Sequence, residues 1–161
     1  MTDVICNTSP FQYLHQIDQL RILPALAGQI TTPPAVVDEI AVGRSVGVDL
    51  PDLSQMAWIV VRKPASQSAL PLISDLGAGE SEVLMLALEI PDARVILDDM
   101  LARRVAESLN ICFTGTLGLL LDAKQAGLIS ELRPVLDHLQ ALRFRLSPIT
   151  YQAVLKLAGE L

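Results

Sequence analysis

The side chains of this chain best placed for chemistry are carboxylates: Glu80, the adjacent pair Asp98-Asp99, and one of Asp38 and Glu39. If they converge, like charges that close cannot all stay ionised unless a cation shares them. With no histidine or thiol among them, such a cluster favours hard, oxygen-seeking ions, Mg²⁺ or Mn²⁺. A site of that kind suits in-line hydrolysis of a phosphodiester, because the metal makes hydroxide from water and neutralises the scissile phosphate.

Glu80 is the sharpest case. At about 100° per residue, a helix starting after Gly77 puts Val83, Leu84, Ala87 and Leu88 in one stripe. Glu80 falls at the centre of that stripe, with Glu82 and Glu89 on the opposite face. A carboxylate on a core-facing stripe is costly unless it is paired, protonated or bound to a metal. Its place in the first helical turn also suits the positive end of the helix dipole, which would be a purely structural use. In the helix opened by Pro33-Pro34 the stripe is Val36, Val37, Ile40 and Ala41. Asp38 and Glu39 flank it about equally, so periodicity does not choose between them.

Five short apolar runs bounded by turn residues read as strands: Asp3–Cys6, Gln29–Thr31, Trp58–Val61, Arg94–Leu97 and Ile111–Phe113. Helical patterns cover Phe11–Ala27, Pro34–Val42, Ala78–Ile90, Met100–Leu109, Thr116–Ala126, Ile129–Leu142 and Ile149–Ala158. Gly43–Ser54 reads as a loop or broken helix, and Ala65–Leu76 is ambiguous. Continuously apolar strands alternating with helices indicate an α/β fold with a parallel sheet covered on both faces. No repeat or linker divides the chain, so a single domain over 1–161 is expected. Its C-terminal helices, 129–161, would pack on that domain or mediate oligomer or partner contacts.

In an open parallel sheet ligands bind beyond the carboxyl ends of the strands, where the strand order reverses. Asn7-Thr8-Ser9-Pro10 follows the first strand, Asp98-Asp99 the fourth, and Thr114-Gly115-Thr116 the fifth. Ser9 and Asp99 could equally be helix caps.

Composition bounds the rest. Of 161 residues, 51% are apolar, which is ample for a core, and 12 basic against 18 acidic side chains give a net charge of −6. No apolar run approaches the roughly 18 residues of a membrane span. Met1-Thr2-Asp3 lacks the basic region of a signal peptide, so a cytoplasmic protein without membrane attachment is expected. Cys6 and Cys112 sit in apolar runs without metal-ligand spacing and read as buried free thiols. A pI near 4.8 argues against a surface coated in positive charge for nucleic acid. The charge is unevenly spread, however. Residues 1–93 hold 4 basic and 11 acidic groups, and residues 94–161 hold 8 and 7. A polyanion should prefer the second half, around Arg103, Arg104, Lys124, Arg143 and Arg145.

The chain resembles the PIN domain, and more closely its toxin-like DUF3368 branch. The resemblance covers nearly the whole chain through five segments: residues 7–10 (NTSP), 33–40 (PPAVVDEI), 77–82 (GAGESE), 97–103 (LDDMLAR) and 114–118 (TGTLG), the last leading to Ala123-Lys124. It implies a three-layer α/β/α fold with a five-stranded parallel sheet of order 3-2-1-4-5. It also implies a metal-dependent endoribonuclease using Mg²⁺ or Mn²⁺, the toxin of a toxin–antitoxin pair. Its partners would be RNA, a small cognate antitoxin and a second copy of the chain. The family's acidic set falls on Asn7, Glu39, Glu80, Asp98 and Asp99. Of these, Asn7, Glu80, Asp98 and Asp99 would be metal ligands, with either aspartate as the true ligand and the other capping a helix. Thr8, Ser9, Thr114, Thr116 and Arg103 would support the site or contact substrate, and Lys124 matches without a derivable role.

One position departs from the pattern. The family expects aspartate after the first strand, where this chain has Asn7. An amide keeps one neutral oxygen but loses the charge, so metal affinity and nucleophile activation should fall. The rival expectation is therefore an inactive relative that survives as a protein-binding or RNA-binding module. A response-regulator-like domain would need an aspartate after the third strand, and Arg62-Lys63-Pro64 stands there instead. The leucines at 119–121, 136, 139 and 142 exceed what a small sheet must cover. They predict either a well-packed core or a dimer or antitoxin groove.

Overall fold

The computed structural model describes residues 2–65 and 75–161. Its strands are β1 (Val4–Cys6), β2 (Ile30–Thr32), β3 (Ile59–Val61), β4 (Arg94–Ile96) and β5 (Cys112–Thr114). Each lies within one residue of its expected bounds. They form one parallel sheet of order β3-β2-β1-β4-β5, flanked by helices. Ile5, Ile30, Val95 and Ile96 are buried, as central strands covered on both faces require. Val60 and Val61 of the edge strand β3 are exposed.

The helices are α1 (Thr8–Gln16), α2 (Ile22–Ala27), α3 (Pro34–Ser45), α4 (Ala78–Glu89), α5 (Met100–Ser108), α6 (Thr116–Gln125), α7 (Arg133–Ala141) and α8 (Pro148–Leu157). Among the described residues none is long and apolar enough to cross a membrane. Two helix N-termini are tied by exchanged carboxylates. Ala35 N–H in α3 donates to Glu82 Oε2 of α4 at 2.8 Å. Gly79 N–H in α4 donates to Glu39 Oε1 of α3 at 3.0 Å. Each acid supplies an acceptor to an otherwise orphaned N–H of its neighbour.

Register brings the strand ends level. Cys6 pairs with Ile96, and Ile96 with Thr114. Asn7 N–H continues the ladder to Ile96 O at 3.0 Å, and Leu97 N–H reaches Thr114 O at 2.9 Å. Asn7, Asp98 and Thr116 therefore leave the sheet at one edge, where the strand order reverses between β1 and β4.

The structure corrects several expectations. Phe11–Ala27 is two helices, because the chain turns at Asp18 with φ +62°. There Asp18 N–H donates to His15 O and Gln19 N–H to Leu14 O, a Schellman ending built on aspartate instead of glycine. Within Gly43–Ser54, α3 continues to Ser45, and a 3₁₀ turn follows at Leu53–Gln55. Residues 129–132 are not helical: α7 starts at Arg133, where Glu160 accepts the N–H groups of Leu132 and Arg133. Ala65–Leu76 lies largely outside the described residues. Cys6 is buried as expected, but Cys112 is exposed. Leu119, Leu120, Leu136 and Leu139 are buried in the common core, so those leucines need no partner.

Candidate active site

Asn7 occupies the boundary between β1 and α1 in extended conformation, φ −85° and ψ 176°. It is 2% exposed, and its Oδ1 has no hydrogen-bond partner among the described residues. A buried carbonyl oxygen without a donor forfeits its solvation unless something absent from the protein compensates.

Asp98 stands two residues past β4 and is held firmly. Its Oδ1 accepts Thr116 N–H at 2.9 Å, and its Oδ2 accepts the hydroxyls of Thr116 at 2.7 Å and Ser9 at 3.4 Å. Asp99 is engaged differently: its Oδ2 accepts Ala102 N–H at 2.9 Å, which caps α5. The two aspartates are thus held differently, Asp98 between α1 and α6 and Asp99 as the cap of α5.

Glu39 accepts the Thr8 hydroxyl at 2.5 Å on Oε2 and Gly79 N–H on Oε1, whereas Asp38 is exposed. Glu80 lies in the first turn of α4, half-buried, and no donor among the described residues reaches it. Its carboxylate folds back over Gly77, where a Cβ would come within 2.6 Å of Oε2. The stripe that singled out Glu80 is not the buried face of α4. Ser81, Met85 and Leu86 are buried with Val83 and Leu84, while Leu88 is 49% exposed. Glu80 reaches the site through its place at the start of the helix, not through a core-facing stripe.

Asn7, Ser9, Glu39, Glu80, Asp98, Asp99, Arg103 and Thr114 all line one cleft of about 970 Å³. Thr116 is fully buried and does not line it. Lys124 is elsewhere, donating to Ser130 O and lying 3.3 Å from Glu160. Arg103 Nε donates to Leu97 O at 2.9 Å, and its guanidinium sits 5.4 Å from the centre of the Phe113 ring. Tyr13, Phe144 and Arg145 also line the cleft. Arg145 was visible in the sequence only as part of the basic half, and no local pattern marks Phe144.

The N-termini of α1, α4, α5 and α6 meet this cleft at Thr8, Glu80, Met100 and Gly115. Their positive dipole ends moderate the repulsion among the acids. Burial, and then the charge of Asp98, pushes the Cys6 thiol well above its ordinary range, so it stays protonated and is not a nucleophile.

Among the described residues no three of Asp, Glu, His and Cys come close enough together to hold a metal ion by themselves. The amide of Asn7 is a further oxygen donor in the same cleft. The donor-free Oδ1 of Asn7 and the undonated carboxylate of Glu80 share the cleft with Asp98, and all three are oxygen donors. A family model for the PIN domain, DUF3368, matches residues 3–160. No curated protein matches the chain.

Proposed function

This chain belongs to the PIN-domain family, and from that premise we propose that it is a Mg²⁺- or Mn²⁺-dependent endoribonuclease, the toxin of a toxin–antitoxin pair. Members of the family are typically nucleases that use divalent metal ions and bind RNA. The observation that supports the reading is the buried Oδ1 of Asn7, without a donor among the described residues, in the cleft that Glu80 and Asp98 also line.

Glu80 and Asp98 would hold the ion, with Asn7 as a neutral third donor and Asp99 at the rim. Held there, such an ion would lower the pKa of a water molecule and offset the charge of the scissile phosphate. Glu39, bonded to Thr8 and Gly79, fixes the spacing of the α1 and α4 N-termini. Thr116 orients Asp98 from beneath, and Ser9, Thr114 and Arg103 meet the substrate phosphates. Asn7 gives one neutral oxygen where aspartate would give charge, so ion affinity and activity are low in this chain and rise in Asn7→Asp. Incubating RNA with Mn²⁺ and either protein tests this. If neither cleaves and Mn²⁺ leaves both melting temperatures unchanged, the reading fails.

Asn7 also favours a second reading, a catalytically inactive module that binds protein or RNA. In that case the rest of the site has drifted and Asn7→Asp gains little metal affinity. Full activity in the aspartate variant would sink it. As a toxin the chain would act in the cytoplasm as a homodimer, silenced by a small antitoxin. The exposed Ile149 (84%) and Leu157 (68%) of α8 support a protein contact there. A short reading frame beside this one, whose product co-purifies with the chain, is the expected outcome.

A further inference from the structure

The chain has six aromatic residues, and three of them, Tyr13, Phe113 and Phe144, line the cleft. Tyr13 and Phe144 form an edge-to-face pair, centroids 4.9 Å apart at 85°. Such a pair uses one face of one ring only, and both rings are half-buried, with part of each open. Two arginines share the cleft with these rings, Arg103 lying over Phe113 and Arg145 following Phe144 directly. Neither forms an ion pair with a carboxylate among the described residues. The cleft therefore holds both acids and a group of flat apolar rings with unpaired cations. A phosphate backbone avoids the acids except through a bound metal, so its remaining anchors must be these cations. Flat rings beside cations match the base and phosphate of one nucleotide.

We propose that the Tyr13–Phe144 pair with Arg145 is a nucleobase subsite for single-stranded RNA. The base of the nucleotide flanking the scissile phosphodiester lies against the ring pair, and Arg145 meets the next phosphate. Placement beside the scissile bond rests on the nuclease reading; the binding does not. A duplex hides its base faces and does not fill the subsite.

The test is fluorescence anisotropy in EDTA with a short labelled single-stranded RNA, an abasic strand of equal length, and the same RNA as a duplex. The unmodified protein prefers the RNA over the abasic strand by about tenfold. Phe144→Leu, which keeps apolar bulk against the core, loses that preference without weaker binding to the abasic strand. Phe144→Tyr retains it, and Arg145→Ala weakens both strands alike. Equal affinity of the unmodified protein for RNA and abasic strand, an unchanged preference in Phe144→Leu, or binding of the duplex as tight as the single strand overturns the subsite. A base preference with no cleavage by either protein in Mn²⁺ and no Mn²⁺ shift of either melting temperature removes the nuclease reading and leaves the subsite standing.

Discussion

Thr116 holds both oxygens of Asp98, its N–H donating to Oδ1 at 2.9 Å and its hydroxyl to Oδ2 at 2.7 Å. The N–H belongs to the first turn of α6 and survives any substitution except proline; the hydroxyl does not. Thr116 is fully buried, so Thr116→Val keeps its volume and deletes one bond to a charged group. A loss of about 1.5–3 kcal/mol is expected in urea unfolding. Thr116→Ser, which keeps the hydroxyl, should lose clearly less. Equal losses would show that the bond to Asp98 is not the cause.

Asn7→Asp places a carboxylate at a buried position without a donor among the described residues, in the cleft that Asp98 also lines. Without metal the buried charge should destabilise the fold by about 3 kcal/mol. At about 2–4 °C per kcal/mol, that lowers Tm by roughly 6–12 °C. Mn²⁺ should restore most of the loss and raise Tm of the natural chain less. Scanning calorimetry with EDTA and with Mn²⁺ measures both, and equal response of the two proteins would refute it.

Gly115 is packed where no side chain fits. A Cβ there would fall on the Arg103 guanidinium and 2.7 Å from Asp98 Oδ1. Arg103 can swing aside, whereas Asp98 is fastened to Thr116. Gly115→Ala should therefore displace Arg103 from Phe113 and weaken RNA binding about tenfold, roughly the loss of one charged contact. Because Asp98 cannot yield as Arg103 does, the variant's unfolding midpoint should fall as well. Unaltered RNA affinity would argue that Arg103 does not touch the substrate.

Glu160 reports on the C-terminal helices. Burial pushes its carboxyl up, but the N–H groups of Leu132 and Arg133 and the Lys124 ammonium outweigh this and hold it below the ordinary value of 4.5. A depressed folded pKa means stability that is fully present above the unfolded pKa and lost as pH falls through the folded one. Glu160→Gln should cost about 1–2 kcal/mol at pH 7. The gap to the natural chain should narrow as pH drops below 4.5. A gap independent of pH would place the effect in packing instead of charge.

The strands were legible in the sequence because short, continuously apolar runs leave few alternatives. The turn at Asp18 was not, since aspartate in a left-handed conformation lacks the signature a glycine would provide. Glu80 was found by an argument that the structure does not uphold. α4 buries residues on several faces, with Ser81, Met85 and Leu86 beside Val83 and Leu84, so a single-stripe analysis could not locate its core side. What places Glu80, Asp98 and Asn7 in one cleft is topology: in a parallel sheet, strand ends and helix starts meet at one edge. Phe144 was invisible for the opposite reason, and Arg145 was marked only by the charge of its half of the chain. They reach the cleft through tertiary contact of the α7–α8 loop with Tyr13, and no spacing in the chain encodes that.

The crossed carboxylates of α3 and α4 have a consequence for inheritance. Glu82 satisfies the start of α3, and Glu39, carried on α3, satisfies the start of α4. A substitution at either position loosens the helix that presents the other, so the two losses do not add. The positions are epistatic: what a change at 39 does depends on the residue at 82. Evolution can adjust the cleft acid on α3 only within the limits set by a residue that never enters the cleft.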